Sequence, residues 1–121
     1  MEKLLLNDSE CRLMDIIWRH APIESGKLVG LAEEKIGWKK STMYTVLRNL
    51  VAKGIVSNED SVVRVVVSRD SVQRFESSRV VKRTFEGSLP SFITAFLGDK
   101  TLTASEADEL KELIDSYRDD K

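Results

Sequence analysis

The sequence predicts a mainly α-helical fold with one small β-hairpin, and two changes of pattern along the chain predict it. Before Gly54, apolar residues recur at spacings of three and four, which is typical of short amphipathic helices. From Ile55 to Val67 the chain is rich in β-branched residues around a turn-forming segment, 58–61, which predicts two antiparallel strands. Beyond Ser68 the helical spacing returns. The predicted order is therefore three helices, a hairpin and a helical C-terminal arm.

The first two helices each begin at a capping sequence. Asn7 and Glu10 form an Asn-x-x-Glu capping box ahead of an apolar stripe, and this helix is expected to end near His20. Ser25 is the predicted N-cap of the second helix. The expected inner faces of the two helices consist of Leu13, Ile16, Ile17, Leu28, Leu31, Ala32 and Ile36.

The third helix carries the most informative pattern in the chain. Between Lys35 and Lys53 there are five basic residues and no acidic one, although the whole chain has a net charge of −1. Any attraction to a polyanion must therefore be local. The predicted inner stripe consists of Met43, Val46, Leu47, Leu50 and Val51, and Gly54 follows where a left-handed residue belongs. The opposite face presents hydrogen-bonding side chains from Ser41, Thr42, Tyr44, Thr45 and Arg48.

Three short helices followed by a hairpin are the arrangement of a winged helix-turn-helix, in which the hairpin is the wing. We expect the third helix to enter the major groove of DNA, with Thr42 and Thr45 facing one groove wall. Tyr44 is expected to reach a phosphate or a base, and the lysines just before the helix are placed for the phosphate backbone. The predicted DNA-binding residues are Lys39, Lys40, Ser41, Thr42, Tyr44, Thr45, Arg48 and, in the wing, Arg64.

The C-terminal arm is expected to mediate dimerisation. Its three amphipathic helices comprise about fifty residues, too few to bury their apolar faces alone, whereas a second copy of the chain would cover them. We therefore predict a winged-helix DNA-binding domain over residues 1–69 and a helical dimerisation domain over residues 70–121. The predicted dimerisation residues are Phe85, Leu89, Phe92, Ile93, Phe96, Leu97, Leu110, Leu113, Ile114 and Tyr117.

Composition argues against several other classes of protein. The lone Cys11 cannot form an intramolecular disulfide, and no apolar run approaches the ~18 residues of a membrane span. The apolar run at the start of the sequence is too short for a signal peptide. We therefore expect a cytoplasmic protein without membrane association. With His20 as the single histidine, we expect neither enzymatic activity nor a metal or cofactor. Trp18 and Trp38 are expected to be structural.

Several of these motifs coincide in one family. Met14-x-x-Ile17-Trp18, Trp38-x-x-Ser41-Thr42-x-x-Thr45 and Leu50-x-x-Lys53-Gly54 resemble the penicillinase-repressor family, which also contains the methicillin-resistance and copper-responsive repressors. The tail, 88–115, looks like that family's dimerisation helices. The resemblance implies a homodimeric winged-helix repressor that occupies a pseudo-palindromic operator, with the hydroxyl residues of the second motif facing DNA.

The chain also departs from the family pattern. Asn49 stands where the family commonly has arginine, and Arg48 lies one place earlier, so which of the two contacts DNA stays open. The wing offers acidic Glu59 and Asp60 where relatives usually have a basic residue and a tyrosine. The Cys-x-Cys motifs of copper-responsive relatives are absent, and so is the Asn-Phe bond often cleaved in antibiotic-responsive ones. An inactivating protease therefore remains an open partner.

Two other functions also remain open. The acidic wing and near-neutral net charge favour a winged-helix protein–protein interaction module that does not touch DNA. The alternative of an effector-sensing regulator would use Phe85, Phe92 and Phe96 to line a small-molecule pocket instead of a dimer core.

Overall fold

The computed structural model describes residues 4–120, which form six helices and three short strands. The predicted fold class, mainly helical with a small antiparallel sheet, is confirmed. The chain divides into two compact units, the first reaching to Val80 and the second beginning at Val81. In chain order the elements are α1 Asp8–His20, β1 Ile23–Glu24, α2 Ser25–Ile36, α3 Lys40–Ala52, β2 Val56–Glu59, β3 Val62–Val65, α4 Arg69–Thr84, α5 Leu89–Leu97 and α6 Ala104–Ser116.

The wing contains a strand that the sequence pattern did not predict. β1 pairs antiparallel with β3, and β3 pairs antiparallel with β2, so the sheet has the order β1-β3-β2. Ile23 of β1 lies opposite Val63 of β3. A strand of two residues is too short to show an alternating pattern, which is why a hairpin alone was predicted.

A two-residue turn closes the hairpin between β2 and β3. Asp60 and Ser61 both have positive φ, 52° and 62°, as the tight turns that fit twisted hairpins require. The carbonyl oxygen of Ser61 accepts a hydrogen bond from the Ser25 backbone N–H at 2.8 Å. The turn of the wing is therefore tied to the start of α2.

The core of the first unit forms where α1, α2, α3 and the sheet converge. Its largest members include Leu13 and Ile17 of α1, Leu28 of α2 and Leu50 of α3, all fully buried. Full burial of such a side chain contributes roughly 1.5–3 kcal/mol, so the apolar stripes fix the three helices together. Val51, predicted on the inner face of α3, is instead 39% exposed. The other buried apolar residues are Leu6, Met14, Ile16, Ile23, Ala32, Met43, Val46, Leu47, Ile55, Val56, Val63 and Val72.

The caps of the helices were predicted with mixed success. The capping box of α1 is confirmed, because Asn7 Oδ1 accepts from the Glu10 N–H at 2.8 Å and Glu10 Oε1 accepts from the Asn7 N–H at 3.0 Å. The prediction that Ser25 caps α2 is wrong. The N-cap is Glu24, which makes no side-chain capping bond, and Ser25 is a buried residue of the first turn. With Glu24 paired in β1 as the N-cap, the helix begins at Ser25, one residue earlier than a Ser25 cap would place it.

A buried ion pair joins the start of α1 to the end of α3. Lys53 Nζ lies 2.6 Å from Glu10 Oε1 and also donates to the Leu5 carbonyl oxygen at 3.0 Å. The Glu10 side chain is only 2% exposed, whereas that of Lys53 is 30% exposed. Since Glu10 also belongs to the capping box, one carboxylate ties together two helix ends.

The second unit consists of the end of α4 with α5 and α6. Ser88 caps α5, and Thr103 caps α6 by accepting from the Glu106 N–H at 3.1 Å. Phe85 and Phe92 meet edge to face, with ring centroids 5.4 Å apart. None of residues 81–120 is buried, so the apolar side chains of this unit lack the enclosure that a core would give them.

Candidate nucleic-acid interface

The outward face of α3 is open to solvent in this chain. Ser41, Thr42, Thr45 and Arg48 are exposed, while the inner stripe of the same helix is buried in the core. Lys39, the N-cap, makes no side-chain capping bond, so the first N–H groups of α3 are left to other acceptors. A positive helix end beside exposed hydroxyl groups is suited to an anionic partner.

Two hydrogen bonds organise the middle of this face. Thr45 Oγ1 donates to the Ser41 carbonyl oxygen at 2.9 Å, and Arg48 Nη2 donates to Thr45 Oγ1 at 3.4 Å. The hydroxyl proton of Thr45 is therefore committed to the backbone, which leaves its methyl group as the free recognition element. The second bond holds the Arg48 guanidinium over the same turn of the helix.

The sequence left open whether Arg48 or Asn49 contacts DNA. Of the two, Arg48 is hydrogen-bonded to another predicted contact residue, Thr45. Asn49 is also exposed, but its side chain makes no hydrogen bond among those described for residues 4–120. The geometry groups Arg48 with Ser41 and Thr45, because residues at i, i+4 and i+7 lie on one side of a helix.

Tyr44 is placed differently from the other predicted contact residues. It is half-buried against the core, and its hydroxyl group donates to Ser25 Oγ at 3.1 Å. Its bond joins α3 to the first turn of α2, which are the two helices of the helix-turn-helix. In this structure Tyr44 therefore positions α3 and does not present a free hydroxyl donor.

The wing presents one cation and an acidic tip. Arg64 is exposed on β3, opposite Ser57 of β2, and Glu59 and Asp60 are exposed at the turn. Arg64 lines a shallow depression together with Lys27, an exposed residue of α2. Lys27 was missed by sequence reasoning because its proximity to Arg64 depends on the unpredicted pairing of β1 with β3.

Both tryptophans make internal contacts. Trp18 is half-buried and donates from Nε1 to the Val67 carbonyl oxygen at 3.1 Å. Trp38 is half-buried against the core in the turn that precedes α3. Neither ring is a free stacking platform in this structure.

Cys11 is poorly suited to redox chemistry. Burial raises the pKa of its thiol, and the nearby carboxylates of Glu76 and Asp15 raise that pKa further. The thiolate is the reactive form, so these surroundings disfavour reaction. Among residues 4–120, no group of three or more potential ligands is arranged to hold a metal ion. The same residues contain no helix long and apolar enough to cross a membrane.

Most of the predicted dimerisation residues leave much of their apolar surface uncovered. Phe85, Phe92 and Leu97 are half-buried within the second unit. The others are exposed by the following fractions: Leu89 56%, Ile93 44%, Phe96 61%, Leu110 39%, Leu113 52%, Ile114 65% and Tyr117 83%. Exposure of so many large apolar groups on two adjacent helices of the chain is typical of an interaction surface.

Comparison with known proteins decides the family. The model of the penicillinase repressor family matches residues 6–116, which includes both structural units. The chain belongs to the penicillinase repressor family. It is 25% identical over 121 residues to the penicillinase repressor of Bacillus licheniformis, an alignment that covers 96% of this chain and 94% of the relative. The predicted family is confirmed, and membership of it identifies the chain as a transcriptional regulator of the repressor type.

Proposed function

We propose that this penicillinase repressor family member is a homodimeric, sequence-specific DNA-binding protein that represses transcription in the cytoplasm by occupying a pseudo-palindromic operator. The observation that carries the proposal is the outward face of α3, where exposed hydroxyl groups and Arg48 lie beside Lys39 and Lys40 on a helix held by a buried stripe. An α-helix of this kind fits the major groove.

The exposed side chains divide into two roles. Ser41, Thr42 and Thr45 face the base edges, and the Thr45 methyl group is available to contact the methyl group of a thymine. Lys39 and Lys40 contact the phosphate backbone, which fixes register without reading sequence. Arg64 of the wing supplies a further backbone contact, and Arg48 follows the groove one turn beyond Thr45.

The dimer follows from the uncovered apolar surface of the second unit. Two copies related by two-fold symmetry bury the same residues on both chains and present two α3 helices to matching half-sites. In functional terms residues 1–69 bind DNA and residues 70–121 dimerise. Cleavage of the dimerisation domain by a protease, the inactivation found in antibiotic-responsive members of the family, would separate the two DNA-binding domains and lower operator affinity, and such a protease stays an open partner.

A gel-shift titration at two salt concentrations tests DNA binding. Each phosphate that the protein neutralises releases counterions, so we expect affinity for operator DNA to fall steeply between 50 and 200 mM salt, by roughly tenfold or more. A weak affinity that does not change with salt would contradict the proposal.

The acidic wing favours a second candidate function. Glu59 and Asp60 stand at the exposed turn of the wing, where phosphate groups would repel them. A winged-helix module that binds another protein would tolerate this charge. That candidate predicts the flat salt response, so the same titration distinguishes the two functions.

A further inference from the structure

Contacts from α1 hold the junction between the wing and α4. Trp18 Nε1 donates to the carbonyl oxygen of Val67, which precedes α4, at 3.1 Å. The Arg69 guanidinium carbon lies 5.0 Å from the centroid of the Trp18 ring, and Arg69 Nη2 lies 3.6 Å from Asp15 Oδ1. We call these four residues, Asp15, Trp18, Val67 and Arg69, the junction cluster.

The next turn of α4 is fixed as well. Val72 is 3% exposed and belongs to the core of the first unit. Farther along, Glu76 lies near Cys11 of α1: burial raises the pKa of the Cys11 thiol, and the Glu76 carboxylate raises it further. Arg69, Val72 and Glu76 are spaced i, i+3 and i+7, which is one face of α4. The first two turns of α4 therefore turn one face toward the first unit, with Arg69 in contact with α1 and Val72 in the core.

We propose that the junction cluster sets the spacing between the operator half-sites that the dimer accepts. The inference rests on the proposed function, because it concerns how two copies are held on one DNA duplex. α4 is one continuous helix of 16 residues that begins in the junction cluster and leads to the proposed dimerisation helices. In a dimer formed through those helices, the chain path from the α3 helix of one copy to that of the other runs through both α4 helices, and the junction cluster sets the direction in which each α4 begins.

The lengths involved make spacing sensitive to this direction. A helix of 16 residues is about 24 Å long, so a tilt of about 15° displaces its far end by roughly 6 Å. Base pairs are stacked about 3.4 Å apart, and the displacement therefore approaches the length of two base pairs. Two-fold symmetry applies the same tilt to both chains. A loosened junction should accept several spacings where a fixed one accepts a single spacing.

The test compares operators that differ only in their central spacer. The half-sites are first obtained by selection from random DNA. They are then joined by the selected spacer, or by a spacer that is one base pair shorter, one base pair longer or two base pairs longer. The measured quantity is the ratio of affinity for the selected spacing to affinity for each altered spacing. Trp18→Phe removes the indole N–H and keeps an aromatic ring, and Arg69→Met removes the charge and keeps a side chain of similar length. Arg74→Met is the matched control, because it removes the same charge from an exposed position of the same helix.

We expect the ratio of affinity for the selected spacing to affinity for an altered spacing to be about tenfold lower in the Trp18→Phe/Arg69→Met double variant than in the wild-type protein. A tenfold change is equivalent to about 1.4 kcal/mol. Arg74→Met should leave the ratio unchanged. A junction cluster that merely stabilises the first unit would lower the melting temperature and leave the spacing ratio unaltered. An unaltered ratio in the folded variants, or an equal fall in Arg74→Met, overturns the inference.

Two further measurements keep the outcomes separate. If the double variant does not fold, Arg69→Met alone carries the test, since the Arg69 side chain is 36% exposed and this change leaves Trp18 in place. A DNA-free readout uses spin labels at Arg48→Cys in a Cys11→Ser background. The distance distribution between the two labels of a dimer should broaden when Arg69→Met is added, and an unchanged width overturns the inference. Failure of the wild-type protein to bind any two-half-site DNA would instead overturn the proposed function.

Discussion

At the scale of single residues, the hydroxyl groups of the first unit have separate tasks. The Thr45 hydroxyl bonds to its own helix, whereas the Tyr44 hydroxyl bonds to Ser25 of another helix. The spacing of residues in the sequence predicts which face of a helix each side chain lies on, but it does not predict the hydrogen-bond partner of its hydroxyl group. The predicted face of α3 was therefore recoverable from spacing, but the direction of each donor proton was not.

Thr45→Ala should reduce affinity for the selected operator about tenfold and affinity for random DNA much less. The change removes the methyl group that we propose contacts a base, together with the hydroxyl that holds Arg48, and tenfold corresponds to about 1.4 kcal/mol. Lys40→Ala is the matched comparison, since losing a phosphate contact should weaken binding to both DNAs similarly and flatten the salt dependence. Equal losses on both DNAs for Thr45→Ala would remove its base-reading role.

Tyr44→Phe should lower stability and leave operator affinity nearly unchanged. The variant deletes the donor to Ser25 Oγ, a buried group, and such a loss costs about 1 kcal/mol. Chemical denaturation measures the first effect and a binding titration the second. A large loss of affinity at unchanged stability would show that Tyr44 contacts DNA directly, as the sequence alone predicted.

At the scale of elements, a helix or strand could be predicted from the sequence when its apolar spacing repeats over several turns or residues. The stripes of α1 and α3 extend over several turns, so their helices and most of their buried residues could be predicted from spacing. β1 has two residues, and it exists because Ile23 and Glu24 pair with β3, a contact between residues far apart in the chain. The same pairing moved the cap of α2 from Ser25 to Glu24. Lys27 lies near Arg64 because β1 pairs with β3, and no local sequence pattern predicts β1.

Lys53→Met should destabilise the protein by roughly 3 kcal/mol or somewhat less. It leaves the buried Glu10 carboxylate without its cation, and the partial exposure of Lys53 reduces the cost of breaking this pair. The double variant Glu10→Gln/Lys53→Met should recover much of the loss, because the amide oxygen can still accept from the Asn7 N–H. Chemical denaturation of the two variants measures the difference. A double variant less stable than Lys53→Met would show that the pair does not couple α1 to α3.

At the scale of the whole molecule, charge and apolar surface are distributed unequally between the two units. The basic residues from Lys35 to Lys53 lie in the first unit, and the large exposed apolar residues of α5 and α6 lie in the second. The sequence predicted this division, because its basic residues concentrate between Lys35 and Lys53 while the C-terminal arm carries apolar stripes that are too short to form a core alone. In the function that we propose, the basic surface of the first unit binds DNA and the apolar surface of the second unit binds a second copy of the chain.

Phe96→Asp should convert the dimer to monomers and lower operator affinity at least tenfold. The side chain is 61% exposed in the single chain, and a charge buried there by a second copy would be unpaired. Thr94→Asp adds the same charge to α5 away from the apolar stripe and should leave the dimer intact. Sedimentation measures the mass of both variants. An intact Phe96→Asp dimer would place Phe96 outside the interface.

Selection of bound sequences from random DNA by the full-length protein tests the central claim most directly. Two identical α3 helices on one duplex predict winning sequences that contain two inverted half-sites, with centres separated by about one helical turn of DNA, 34–36 Å, or a multiple of it. Recovery of no enriched sequence, or of a single half-site without an inverted copy, would contradict a dimer that recognises DNA through both recognition helices.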